Sequence, residues 1–205
     1  METVSIHKPK VVVIGSCNTD MVVKANRLPV PGETVLGGTF YMNPGGKGAN
    51  QAIAASRLGA EVTFISKIGY DLFGLQALEI YKSEKINTEF IFTDQKSPSG
   101  VALISVDSFG ENSIIVAPGA SRSLSIEDIN KAEEKIREAD IILMQLEVPI
   151  ETAEYAATIA NKYNKKVILN PAPASTLSNA FLRNIYTILP NRIEAEMLSG
   201  IKVMD

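Results

Sequence analysis

Residues 43–58 read NPGGKGANQAIAASRL, a glycine-rich loop that leads directly into an alanine-rich segment. Three of the four residues 45–48 are glycines, which lets the backbone approach a ligand closely. The segment 47–58 contains no proline and is followed by Gly59, so it predicts a helix that ends there. The first N–H groups of such a helix are free to donate to a ligand. The pattern favours a ligand-binding loop at a helix N-terminus.

This loop matches neither of two common nucleotide-binding motifs. A Walker A loop needs Ser or Thr after the lysine and an earlier glycine, whereas Gly48 follows Lys47 and position 41 is Tyr41. The dinucleotide fingerprint needs a third glycine where Gln51 stands. The simplest alternative is an ordinary glycine turn with a solvated lysine, but such a turn has no need for Lys47 or Asn50.

Around the loop, short apolar runs alternate with helical segments. Val11–Ile14 is a continuous apolar run that ends at Gly15, which is typical of a strand buried on both faces. The alternation predicts an α/β fold with a doubly wound, mainly parallel sheet flanked by helices. The other predicted elements are strands at 61–66, 141–146, 167–170 and 186–189, and helices after Asp71, after Ser125, at 151–163, near 178–184 and from Asn191.

Two segments, 21–41 and 100–117, interrupt this alternation because each is β-like and contains no helical stretch. They are either edge strands of the main sheet or a small β-sheet that projects from the α/β body, and composition leaves both open. A projecting sheet would act as a lid or as an oligomer surface. Its apolar face, which a partner surface should cover, would contain Val23, Val35, Phe40, Val101 and Leu103.

Composition excludes several classes of function. The 205 residues contain 20 Lys+Arg and 23 Asp+Glu, so there is no basic excess for nucleic acid or a membrane surface. No apolar run approaches the roughly 18 residues of a membrane span. With one cysteine and a single histidine, His7 in the polar N-terminal segment, a Ser-His-Asp triad or a multi-His/Cys zinc site has almost nothing to be built from.

The same counts set expectations for compartment and domain organisation. The single Cys17 excludes an internal disulfide, is expected to be buried rather than nucleophilic, and fits a reducing, cytoplasmic compartment. Residues 1–10 lack the apolar stretch of a secretion signal. They are predicted to form a polar leader to one α/β domain over 11–205.

Polar side chains follow three of the predicted strands. Asn18 and Asp20 come after the first strand, Glu147 ends the strand IILMQLE, and Asn191 and Glu194 lie one helical turn apart after the last strand. Ligands of open α/β sheets bind beyond the carboxyl ends of the strands, and a carboxylate there accepts hydrogen bonds from hydroxyls. Each residue also has a simpler explanation, namely a capped turn, a solvated strand end and a plain Asn N-cap.

Six stretches together resemble the ribokinase branch of the ribokinase-type carbohydrate kinase family. They are GSCNTD (15–20), PVPGET (29–34), GGKGANQA (45–52), MQLEVP (144–149), LNPAPA (169–174) and LPNRIEAEMLSG (189–200). The resemblance covers nearly the whole chain from Val11 onward, and GGKGANQA is its most specific part. It implies an α/β sandwich with a β-sheet lid, which favours the projecting sheet, and a homodimer formed through that lid.

The resemblance also implies a reaction and its site. The sugar would be held by Asn18, Thr19, Asp20, Gly46, Lys47, Gly48, Asn50 and Glu147. Asn191 would contact the nucleotide phosphates and Glu194 would order Mg²⁺ through water. The implied reaction is ATP-dependent phosphorylation of D-ribose at O5. The rivals are another sugar or a nucleoside on the same fold, or a truncated chain that only binds sugar or dimerises.

One family feature is missing from the sequence. The family's catalytic base is an Asp in a Gly-Ala-Gly-Asp motif, and no such motif occurs up to Asp205. No catalytic residue is therefore predicted within the chain, and the K⁺ site and most of the adenine pocket are expected outside it. We expect these 205 residues to correspond to the N-terminal part of such a kinase and to be inactive alone.

Overall fold

The structure, a computed structural model, describes residues 8–202, so most of the predicted leader lies outside the described residues. The strands are β1 (Lys10–Ile14), β2 (Asn18–Lys24), β3 (Thr39–Gly45), β4 (Glu61–Gly69), β5 (Ile91–Asp94), β6 (Gly100–Val106), β7 (Asn112–Ala117), β8 (Ile141–Met144), β9 (Lys166–Leu169) and β10 (Thr187–Ile188). The helices are α1 (Lys47–Arg57), α2 (Leu72–Ser83), α3 (Ile126–Lys131), α4 (Glu133–Glu138), α5 (Ile150–Lys162), α6 (Asn179–Arg183) and α7 (Arg192–Ser199), and a 3₁₀ helix spans Gly119–Ser123.

The main sheet has six parallel strands in the order β10-β9-β8-β1-β4-β5. β1 lies inside the sheet because Val11 to Ile14 are apolar on both faces. From β1 the chain first extends the sheet through β4 and β5 and later, on the other side, through β8, β9 and β10. The predicted doubly wound sheet is confirmed, and its switch point lies beside the carboxyl end of β1, where ligands of such folds bind.

Two apolar layers cover the faces of the main sheet. Val11 and Val13 pack on one face with residues of α1 and α2, including Tyr81. The ring of Tyr81 contacts that of Phe64 edge-to-face, with 5.5 Å between the ring centroids. Val12 and Ile14 pack on the other face against α3 to α6. The alternation along β1 therefore decides which helices lie on each side. Within residues 8–202, no helix is long and apolar enough to cross a membrane.

The segments at 21–41 and 100–117 contribute to a separate four-stranded sheet, here the small sheet, in the order β3-β2-β6-β7. β2 and β6 are parallel and the other pairs are antiparallel. The projecting-sheet prediction is confirmed, and the edge-strand alternative is wrong. On its outer face, Val23 is paired with Phe40 and Leu103 with Ile115, and all four are exposed. Of the other predicted face residues, Val35 lies between strands and Val101 is half-buried.

Several boundaries differ from the sequence prediction. The helix expected after Ser125 is divided at Ala132, whose N–H bonds the carbonyl of Ile129 three residues back, a tighter turn than an α-helix makes. β8 ends at Met144 rather than at 146, and the last predicted strand shortens to the two-residue edge strand β10. β5 was not predicted, because its sequence IFTD contains only two apolar residues and no continuous apolar run.

Candidate functional site

The glycine-rich loop connects the small sheet to α1 and lies against the end of β1. Gly46 has a φ of 88°, a conformation that side chains disfavour. A Cβ on Gly48 would come within 2.7 Å of the backbone of Ser16. This contact is close because the N–H of Ala49 donates to the Ser16 carbonyl at 2.9 Å. These glycines let the helix N-terminus approach the first strand, as the loop sequence predicts.

Asp20 lies on β2 where the small sheet meets the body, with its carboxylate directly over the backbone of Gly45. A Cβ at that glycine would be closer than 3.0 Å to both carboxylate oxygens. The pKa of Asp20 is raised from its usual value by burial and by the charge of Glu147, and Lys47 partly opposes this rise. A half-buried carboxylate with a nearby ammonium group is suited to binding vicinal hydroxyls.

Glu147 joins three segments that are distant in sequence. One of its oxygens, Oε2, accepts hydrogen bonds from the Ser16 hydroxyl and from the Lys47 backbone N–H, the latter at 2.9 Å. The other, Oε1, lies 3.7 Å from Lys47 Nζ. The predicted simpler explanation, a solvated strand end, is therefore wrong for Glu147. Ser16 was missed as a polar contact of this site, although it lies within the quoted GSCNTD stretch.

The remaining predicted sugar residues occupy different environments. Asn18 is buried, its Oδ1 has no hydrogen-bond partner, and it lies against Gly100 at the start of β6. Thr19 lines a groove of about 420 Å³ between the small sheet and α2. Asn50 lies within the first turn of α1 and is exposed, with its backbone N–H bonded to Gly46. Of these residues and Asp20, only Asn18 lines the cleft described next.

A cleft of about 470 Å³ contains Asn18, Lys47 and Glu147 together with Glu194. Val116, on β7 of the small sheet, lines the other wall of the cleft. The sequence analysis did not predict it as a site residue, although the pairing of β6 with β7 would have indicated its position. A groove of about 530 Å³ adjoins the cleft. Lys47 and Glu194 line both the cleft and the groove, and Asn170 and Asn191 line the groove.

Asn191 and Glu194 lie in this second groove but bind each other. The Asn191 side chain accepts from the Glu194 N–H at 2.9 Å, and both Glu194 oxygens accept from Asn191, through its backbone N–H and Nδ2. The plain N-cap explanation of Asn191 is thus correct for this structure. Asn170, which was not singled out in the sequence, donates to the carbonyl of Leu189 at 3.0 Å and so supports the turn that precedes the cap.

The fit of a metal ion can be tested on the same residues. Over residues 8–202, no three His, Cys, Asp or Glu side chains come together as ligands. Mg²⁺ keeps several waters and commonly takes one or two carboxylates together with substrate phosphates. Glu194, facing the groove with both oxygens already hydrogen-bonded, fits an ion held mainly by phosphates and water.

Comparison with known proteins gives the class of this fold and cleft. The sequence model of the pfkB family of carbohydrate kinases matches residues 8–205. The chain belongs to this family.

Within the family, the chain is similar to ribokinases. It is 46% identical over 193 residues to ribokinase of Haemophilus influenzae, covering 94% of this chain and 63% of that protein. It is 43% identical over 195 residues to ribokinase of Staphylococcus aureus, covering 95% of this chain and 64% of that protein. The solved structure of Arabidopsis thaliana ribokinase with ribose and ATP superposes with a TM-score of 0.85 at 30% identity, covering 97% of this chain and 65% of that one. The chain thus spans less than two thirds of the length of these relatives, and the resemblance stated from the motifs is confirmed.

Proposed function

We propose that this chain carries the sugar-binding half of an ATP-dependent kinase that phosphorylates D-ribose at O5. The observation that carries the proposal is Asp20, half-buried over Gly45 and close enough to Lys47 and Glu147 for their charges to affect its pKa. A ribokinase of similar structure was solved with ribose and ATP, which supports the choice of both ligands.

The proposed site acts by holding and orienting the sugar. Asp20 accepts hydrogen bonds from two adjacent hydroxyls, and Lys47 favours the charged form of that carboxylate. Glu147 contacts the sugar from the opposite side of the cleft, and the loop at Gly46 and Gly48 packs against the ring. The small sheet, through Val116, covers the cleft and limits access of water.

The phosphate end of the cleft is proposed to lie at Asn191 and Glu194. When bound, ATP with Mg²⁺ supplies the phosphoryl group and neutralises its charge. Asn191 would contact the phosphates and Glu194 the hydration shell of the ion. No Gly-Ala-Gly-Asp motif is present in these 205 residues to supply the base. The proposal therefore assigns no catalytic residue to this chain and expects the base, and a K⁺ site, from outside it.

Two further parts of the proposal concern assembly and location. The exposed apolar outer face of the small sheet, with Phe40 57% and Ile115 69% exposed, is proposed to pair with a second copy of the chain. The single cysteine, buried at Cys17, agrees with a reducing cytoplasmic compartment.

Calorimetric titration of the chain with D-ribose, 2-deoxy-D-ribose, D-fructose and adenosine tests the substrate assignment. Ribose should bind most tightly. Asp20→Asn should lower the ribose affinity about ten- to a hundredfold, because the amide has a donor in place of one of the two carboxylate acceptors. Asp107→Asn, the same change at the exposed turn between β6 and β7, is the matched control and should not change ribose affinity. Equal affinity of Asp20→Asn and the unaltered chain would remove Asp20 from the site. Tighter binding of another ligand would favour the rival substrates.

A further inference from the structure

Ser16 follows β1 and is 1% exposed, and it belongs to none of the sugar or nucleotide contacts assigned above. Its hydroxyl donates to Glu147 Oε2, across 131 residues of sequence. Its backbone carbonyl accepts the N–H of Ala49 at 2.9 Å. One residue therefore ties the end of β1 both to α1 and to the carboxylate that follows β8.

We propose that Ser16 is a positioning residue that fixes the Glu147 carboxylate for sugar binding. Oε2 of Glu147 is occupied by two donors, the Ser16 hydroxyl and the Lys47 N–H at 2.9 Å. Oε1 is therefore the oxygen left for Lys47 Nζ, at 3.7 Å, and for a sugar hydroxyl. The inference rests on the proposed sugar-binding function and adds the residue that sets which oxygen the ligand meets.

The backbone of Ser16 is closely packed against α1. Gly48 lies so near that a Cβ there would be 2.7 Å from both the N and the O of Ser16. Alanine at position 16 would keep this backbone packing and remove only the hydroxyl donor. Removing that donor leaves Glu147 held by the Lys47 N–H alone and free to adopt other rotamers, which lowers the preorganisation of the site.

A double-mutant cycle separates positioning from a general structural role. In an otherwise unaltered chain, Ser16→Ala should lower the ribose affinity about tenfold, which is the usual effect of losing a hydrogen bond to a charged group. In a Glu147→Ala background the same change should lower the ribose affinity less than twofold, because the carboxylate that Ser16 positions is absent. Ser66→Ala is the control, since Ser66 is a fully buried serine whose Oγ donates to neither Glu147 nor Lys47. An equal loss on Ser16→Ala in both backgrounds would overturn the proposal.

Amide hydrogen exchange at Lys47 supplies a test that needs no ligand. If Ser16 orders Glu147, the Lys47 N–H loses part of its protection in Ser16→Ala and should exchange about tenfold faster, whereas Ser66→Ala should leave its rate unchanged. Unchanged protection of the Lys47 N–H in Ser16→Ala would refute the proposal, whatever the ribose affinity of that variant. If the unaltered chain binds no ribose, the proposed function fails, and the exchange rate still decides whether Ser16 orders the carboxylate.

Discussion

Replacing Gly45 with alanine should remove most of the ribose affinity while leaving the fold nearly intact. Gly45 is not among the glycines with positive φ, so its backbone conformation accepts alanine. The new Cβ would, however, be closer than 3.0 Å to the Cγ and both oxygens of Asp20. Because the obstacle is the end of a flexible side chain, the carboxylate can turn away at little cost to the fold. The free energy of unfolding should change by no more than about 1 kcal/mol.

The effect on binding should be much larger. The Asp20 carboxylate must move by about 1 Å to clear the methyl group, and a displacement of that size in a binding site can cost about a hundredfold. Ribose titration calorimetry and urea unfolding, performed on the same preparation, measure the two effects. Gly59→Ala is the control, because Gly59 has a φ of 95° and open space around it. That variant should lose stability and keep its ribose affinity. If Gly45→Ala binds ribose as tightly as the unaltered chain, the placement of Asp20 in the site is wrong.

Three other outcomes follow from the same structure. The pKa of Asp20 is raised by burial and by Glu147 and lowered by Lys47, so ribose affinity should fall, as the pH is lowered, through a midpoint above 3.8. In titrations over pH, Glu147→Gln should move that midpoint down and Lys47→Met should move it up; shifts in the same direction would contradict the assignment. A pure preparation of the 205-residue chain should form no ribose-dependent ADP in a coupled assay, and sustained turnover would show that no further base is needed. Leu103→Asp should convert a dimer to a monomer in analytical ultracentrifugation, whereas the same change at Leu58, an even more exposed leucine at the end of α1, should not; a monomeric unaltered chain would refute pairing through the small sheet.

The predictable part of the fold is carried by local patterns. Val11–Ile14 is apolar at every position, which is typical of a strand covered on both faces, and it lies inside the main sheet. Ser125 and Asp128 form the capping box that their spacing predicts. The break at Ala132 was not predictable, because the apolar spacing continues through it and only the tighter hydrogen bond marks it.

The sequence indicated several residues of the candidate site but not their contacts. Asp20 and Glu147 were singled out because they follow predicted strands and Lys47 because an ordinary glycine turn has no need for it, and only the family resemblance suggested their roles. Their arrangement depends on contacts between residues about 100 and 131 positions apart, which no local pattern encodes. The same limit explains why Ser16 was missed, since a serine after a strand has no distinctive spacing.

The two ends of the cleft differ in how far they are organised for a ligand. At the proposed sugar end, Glu147 has one oxygen that accepts hydrogen bonds from both Ser16 and Lys47, so this carboxylate is oriented before any sugar arrives. At the other end, the polar atoms of Asn191 and Glu194 are hydrogen-bonded to each other in a capping box. A phosphate that takes the Asn191 amide must compete with that carboxylate, and the two negative groups repel each other. A cation between them would remove the repulsion, which supports our proposal that Mg²⁺ enters this end of the cleft together with the nucleotide.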